Sequence, residues 1–250
     1  MNETNNTSPT DNVKKRKPIV FIVVVVLAAC GGLFAIYNNN LGAAHSAQQA
    51  ATERRECSHH VKAIVSAILA YEADHGEFPP AFTVDANGNR LHSWRTLILP
   101  YLGENELYKQ IDLQKAWNDP VNNAAKETGV AVYHCPSDSD DQHMTRYFAV
   151  VDDAAIMTGD TPTKMSDITD SKTSTLLVVE GRRDKQVHWM EPNDLQLDDF
   201  VDIDLTGKKK KIHPGGALVA SANGDVIFIN DSMSKDERYA RITKSGGEGF

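Results

Sequence analysis

Nineteen consecutive residues without a charge, Ile19 to Tyr37, stand directly behind the cluster Lys14-Lys15-Arg16-Lys17 and Pro18. As a helix this run reaches ~28 Å, against a bilayer hydrocarbon core of ~30 Å. After the cluster the next Lys or Arg is Arg54, so the positive-inside rule places the N-terminus in the cytoplasm and exports everything that follows. The sequence therefore predicts a single-pass membrane protein with a periplasmic or otherwise extracytoplasmic C-terminal domain.

Three forms of export fit the run. An uncleaved signal anchor uses its full length. Leu27-Ala28-Ala29-Cys30 resembles a lipobox, which would make Cys30 a lipidation site, although the apolar run continues through Leu33-Phe34-Ala35-Ile36-Tyr37. A secretory signal peptide is the third. The alternative of a buried core helix fits poorly with a long Val-rich run behind a basic cluster.

Charge excludes a nucleic-acid role. The chain carries 26 Lys and Arg against 34 Asp and Glu, net −8, and is more acidic still without its basic tail. Such a balance repels phosphate backbones. Lys208 to Lys211 reads as a solvated turn or strand edge.

The organisation follows from composition and periodicity. Residues 1–18 are a polar, disordered, basic cytoplasmic tail; 19–37 are the transmembrane anchor; 38–53 are an Ala- and Gln-rich helical stalk; 54–230 are the extracytoplasmic domain; 231–250 are a polar tail. Val61, Ile64, Val65, Ile68 and Leu69 repeat at helical spacing, giving one buried stripe that should end near Gly76. Ser93 is a candidate N-cap for WRTLILPYL, and Pro100 separates that segment from ENELYKQI. Strands are predicted at 130–135, 146–151, 174–181, 186–190 and 217–230, the last as a hairpin closed by a two-residue turn at Asn223-Gly224. Helix first and antiparallel strands later predict an α+β fold with the amphipathic helix covering a sheet.

Arg54-Arg55-Glu56-Cys57 with HHVKAIVSAILAYEADHGEFPPA, then SWRTLILPYLGENELYKQID, Cys135-Pro136-Ser137-Asp138, DITDSKTSTLLVVEG, VHWMEPNDL and His213-Pro214-Gly215-Gly216 together resemble the family catalogued as domain of unknown function 1559. The resemblance spans residues 54–230. It implies a planctomycete-type bacterial protein, similar to pseudopilins and type IV pilins, with an N-terminal helix half in the membrane and packed on an antiparallel sheet. Many members begin with a prepilin motif whose Gly is cleaved and whose Glu helps assembly. Between Lys17 and Ala28 this chain has neither residue, which argues for a permanent tether.

Cys57 and Cys135 are the two cysteines outside the anchor, and in an oxidising compartment a disulfide is the simplest reading, with two buried free thiols as the alternative. Both positions match cysteines of the family. His213 in the His-Pro-Gly-Gly motif could be a general base or metal ligand, or a residue packed at a tight turn; no second ligand stands at metal spacing. Glu180 could serve as a base, or end its strand for solubility. Asp138, Asp140 and Asp141 form an acidic loop that could hold calcium, as could Asp198, Asp199, Asp202 and Asp204, though neither follows an EF-hand pattern and a solvated loop explains both. Trp94, Trp117 and Trp189 read as core anchors. No nucleophile elbow, P-loop or H-E-x-x-H motif occurs, and no cofactor is implied.

These readings converge on a membrane-anchored, pilin-like structural or interaction module with partners in the cell envelope. Two alternatives stand beside it: a ligand-binding protein or enzyme using His213, Glu180 and nearby carboxylates, and a pseudopilin of a type II secretion-like system.

Overall fold

The computed structural model describes residues 16–136, 141–182, 185–203, 213, 216–230 and 232–247; the side chains of 16–31 and 33–36 lie outside that description. The chain divides into two compact units, Met1–Gln49 and Ala50–Phe250. The first consists, in its described part, of the opening turns of helix α1 (Arg16–His75). Among the described residues no helix is long and apolar enough to cross a membrane. Most of the Ile19–Tyr37 run and Cys30 fall outside the described side chains.

The second unit opens with the remainder of α1, whose Val61, Ile64, Val65 and Ile68 are fully buried. At ~1.5–3 kcal/mol for each such side chain, burial of this stripe holds the helix down. The helix stops where the sequence predicts. Gly76 takes φ 76° and its N–H returns to Glu72 O, a left-handed C-terminal cap that only glycine adopts without strain.

A small hairpin follows, β1 (Phe82–Val84) with β2 (Arg90–Ser93). Ser93 then caps α2 (Trp94–Leu97) by accepting from Arg95 N–H, as expected. A 3-10 turn carrying Pro100 separates α2 from α3 (Asn105–Tyr108), and α4 (Asn123–Lys126) comes next. The predicted strand at 130–135 is instead a 3-10 turn at Ala131–Tyr133. Val130 and Tyr133 are apolar here because both are buried in the core, where burial outweighs strand propensity.

The later chain supplies short strands: β3 (Met144–Thr145), β4 (Tyr147–Phe148), β5 (Val150–Val151), β6 (Leu176–Glu180), β7 (Val187–His188) and β8 (Leu195–Gln196). Helix α5 (Leu197–Val201) precedes the hairpin of β9 (Gly216–Ser221) and β10 (Val226–Asn230), and α6 (Lys235–Ala240) closes the order. The central sheet is antiparallel, ordered β10-β9-β6-β4. β3 pairs with β7, while β5 and β8 form a two-residue parallel pair.

The sheet is covered on both sides. One core joins the α1 stripe to Tyr147, Val178, Leu218 and Ala220. The other joins Phe148, Val179, Ala217, Val219 and Ile229 to Leu197, Phe200 and Ile242 from the α5 and α6 region. Alternate residues of one strand thus enter different cores, as the two-residue period requires, and every residue of β6 is buried.

Two expectations are corrected here. The hairpin closes by Gly224 N–H donating to Ser221 O, with Ser221 N–H donating to Asp225 O; the loop is therefore Ala222-Asn223-Gly224, one residue longer than predicted. Gly224 takes φ 88°, the glycine position of a three-residue hairpin, and its carbonyl accepts from Lys62 Nζ at 2.6 Å. Residues 231–250, expected to be a polar tail, contain α6, capped by Ser234 Oγ accepting from Glu237 N–H at 3.1 Å. Arg238 donates to Ile203 O at 2.7 Å, and Ile242 is fully buried.

Candidate functional site

Five segments meet where α1 crosses the end of β6. Cys57 lies on the buried stripe of α1, and Cys135 follows the 3-10 turn after α4. The two form a disulfide with Cα atoms 5.6 Å apart and a sequence separation of 78. Arg146 stands just before β4, Glu180 ends β6, and His213 makes an isolated bridge to Gly216 at the start of β9.

Glu180 organises the cluster. On β6, Val179 pairs with Val219, so Glu180 lies opposite Leu218, and there its Oε2 accepts the Leu218 N–H at 3.2 Å. A side chain thus takes over a ladder hydrogen bond from the backbone. Its Oε1 lies 3.1 Å from His213 Nε2, 3.6 Å from Arg146 Nη2 and 3.7 Å from Cys135 Sγ. A disulfide sulfur carries no proton, so the last is a packing contact. Arg146 Nη2 is also 2.9 Å from Cys135 Sγ, and the Arg146 carbonyl accepts from Gly181 N–H at 2.7 Å. His213 Nε2, close as it is to the carboxylate, lies off the direction a hydrogen bond needs and has no hydrogen-bond partner.

All of this is sealed. Side-chain exposure is 0% at Arg146 and Glu180 and 2% at His213. The Glu180–Arg146 pair keeps the buried charge balanced, which a low-dielectric interior demands. The solubility reading of Glu180 is therefore overturned: this strand ends on a carboxylate because the interior uses it.

Glycines make the approach of chains possible. A Cβ on Gly216 would sit 1.9 Å from Ile229 O, and one on Gly181 would sit 2.5 Å from the Phe148 ring. The last residue of the His-Pro-Gly-Gly motif is thus a close-approach position in the β9–β10 pair, while its first residue reaches Glu180. Pro214 and Gly215 lie outside the described residues.

A second buried charge lies across the core. Arg95 Nη2 bonds Asp194 Oδ1 at 2.6 Å, and the same oxygen accepts from Trp94 Nε1 at 3.1 Å and Ala149 N–H at 2.9 Å. Arg95 Nε donates to Tyr147 O at 3.0 Å, and the Arg95 carbonyl accepts from Tyr133 Oη at 2.6 Å. This network ties α2 to β4 and to the loop before β8.

The remaining candidates disperse. Asp141 is exposed; it accepts from His143 N–H at 3.0 Å and bonds His143 Nδ1 at 2.9 Å, which in that order lower its pKa; Asp138 and Asp140 lie outside the described residues, as does Asp204. Asp202 pairs with Lys235. Trp94 and Trp189 are core residues, and Trp117 packs beside His188 with ring centroids 5.2 Å apart. Sequence reasoning paired Cys57 with Cys135, as the structure has them, and named Glu180 and His213, but did not place those two beside the disulfide, and it missed Arg146, Arg95 and Asp194. Nothing in the sequence separates those three from ordinary surface charges.

No curated protein and no solved structure matches this chain. The match to a known family ends before Glu180 and His213, so it includes the two cysteines and Arg146 and leaves the carboxylate and the imidazole outside. Over residues 46–159 the chain matches the model of the family described as a protein of unknown function, DUF1559, and over that stretch it resembles its members.

Proposed function

We propose that this chain is a membrane-tethered, pilin-like structural or interaction module of the cell envelope, anchored by residues 19–37 with its folded domain outside the cytoplasm. The observation that carries the reading is the sealed junction of Cys57, Cys135, Arg146, Glu180 and His213. The side chains best suited to chemistry are committed to fastening α1 to the sheet. An anchor helix continued into a fastened helix suits a protein that holds its domain at a membrane and presents loops to partners. The helix-on-sheet layout supports the pilin-like description, and a disulfide supports an oxidising compartment.

The reading as a ligand-binding protein or enzyme gains the approach of His213 to Glu180, but it needs access. Two cavities among the described residues lie elsewhere. One, of about 440 Å³, is lined by Arg54, Arg55 and Phe228, and another, of about 360 Å³, by Lys185, Asp194 and Asp199. The pseudopilin reading needs prepilin processing, for which the N-terminal motif is absent.

Fractionation of cells expressing the full chain tests the proposal. The protein should stay in carbonate-washed membranes, and its domain should be digested by protease added outside the cytoplasmic membrane. Release by carbonate, or protection from the protease, would overturn the tether or its orientation.

A further inference from the structure

The junction holds a donor set that a disulfide alone does not need. The two sulfurs, a Glu180 oxygen and a His213 nitrogen all lie within 4.8 Å of one another and are all buried. Two thiolates, an imidazole and a carboxylate are ligands of tetrahedral zinc, whose bond lengths give a coordination tetrahedron with edges of ~3.3–3.8 Å. The Glu180 oxygen is already 3.1 Å from His213 Nε2 and 3.7 Å from Cys135 Sγ. His213 Nε2, at that distance from the carboxylate, has no hydrogen-bond partner.

We propose that the reduced chain binds one zinc-like divalent cation through Cys57, Cys135, Glu180 and His213, so that disulfide and cation are alternative fasteners of the same junction. The exchange balances as follows. A dithiol donates two electrons and two protons to the Cys57–Cys135 bond, closing to its own cyclic disulfide and leaving two thiols. The cation then displaces both thiol protons, and the sulfurs separate from bonding distance to the ~3.8 Å edge of a tetrahedron. Two thiolates and one carboxylate against a divalent ion leave one negative charge. Arg146 is placed to balance it, with Nη2 2.9 Å from Cys135 Sγ and 3.6 Å from Glu180 Oε1, the kind of outer-shell donor that orients and tunes metal ligands. Oxidation would expel the cation, because a disulfide sulfur has no charge to offer it.

The test is titration of the full-length purified chain with cobalt(II), oxidised and then reduced with a phosphine. The reduced chain should take up one cobalt, with sulfur-to-cobalt charge-transfer absorption and the visible bands of a tetrahedral site, and the oxidised chain none. His213→Ala and Glu180→Gln should each weaken binding at least ~10-fold, whereas adventitious binding to thiols, Cys30 included, would ignore both. Circular dichroism is read alongside. If the reduced chain unfolds and zinc refolds it, the proposal holds through coupled folding. Failure of reduced wild-type protein to take up the ion, uptake unaffected by His213→Ala, or a reduced chain that zinc leaves unfolded would each overturn it.

Discussion

Removing the disulfide by the double substitution Cys57→Ala, Cys135→Ala should weaken the fold by up to ~4.5 kcal/mol. The figure comes from the 78-residue separation of the two cysteines, through the chain entropy that a cross-link removes from the unfolded state. It is large against the ~5–15 kcal/mol that holds a typical domain together. For a unit of this size each kcal/mol moves the midpoint by ~2–4 °C, so the variant should melt ~9–18 °C below wild type. Thermal unfolding followed by circular dichroism in metal-free buffer reads the shift. Wild-type protein refolded under a reductant should fall to the same midpoint. Two midpoints within ~3 °C of oxidised wild type would refute the reasoning, because they would mean that α1 is held by its apolar stripe alone.

Further predictions rest on other parts of the structure. Gly216→Ala would press a methyl group onto Ile229 O, 1.9 Å from an ideal Cβ, and should cost more than ~2 kcal/mol in urea unfolding. Asp194→Ala would strand the fully buried Arg95 and should cost ~3–5 kcal/mol by the same assay. Burial lowers the pKa of His60, His92 and His188, outweighing the hydrogen bonds that raise it. The folded state therefore resists protons that the unfolded state accepts. The associated stability is complete above the ordinary histidine value of ~6.5 and is lost as pH falls from there toward the folded values. His143 works the other way, raised chiefly by its bond to Asp141, so between pH 7 and 5 the midpoint of a His143→Asn chain should fall relative to that of wild type; no relative change, or the opposite one, would contradict the assignment.

The first half of the domain is more legible in the sequence than the second, for physical reasons. The α1 stripe, its stop at Gly76 and the Ser93 cap are local signals, fixed by spacing and by backbone groups a few residues apart, and the structure has all three. The 3-10 turn at Ala131–Tyr133 looks like a strand because its apolar residues answer to the core and not to a neighbouring strand. Helices α5 and α6 are only five and six residues long, too short to show a period, so the layer they form beyond the sheet left no pattern to find. The site divides in the same way. Cysteines and the His-Pro-Gly-Gly motif can be seen as residue types, but a buried Arg146 or Arg95 is indistinguishable in sequence from a solvated one. What buries them is long-range: Arg146 meets Glu180 across β4 and β6, and Arg95 meets Asp194 across 99 positions.

Glu180 carries the central claim, that this junction is a sealed fastener of helix to sheet. Substituting glutamine keeps the shape, removes the charge opposite Arg146 and disturbs the bond to Leu218 N–H. Urea unfolding of the oxidised Glu180→Gln protein should show a loss of ~3–5 kcal/mol, the cost of breaking a buried ion pair from one side. A loss below ~0.5 kcal/mol, the usual range for exposed positions, would place Glu180 in contact with water and contradict the account.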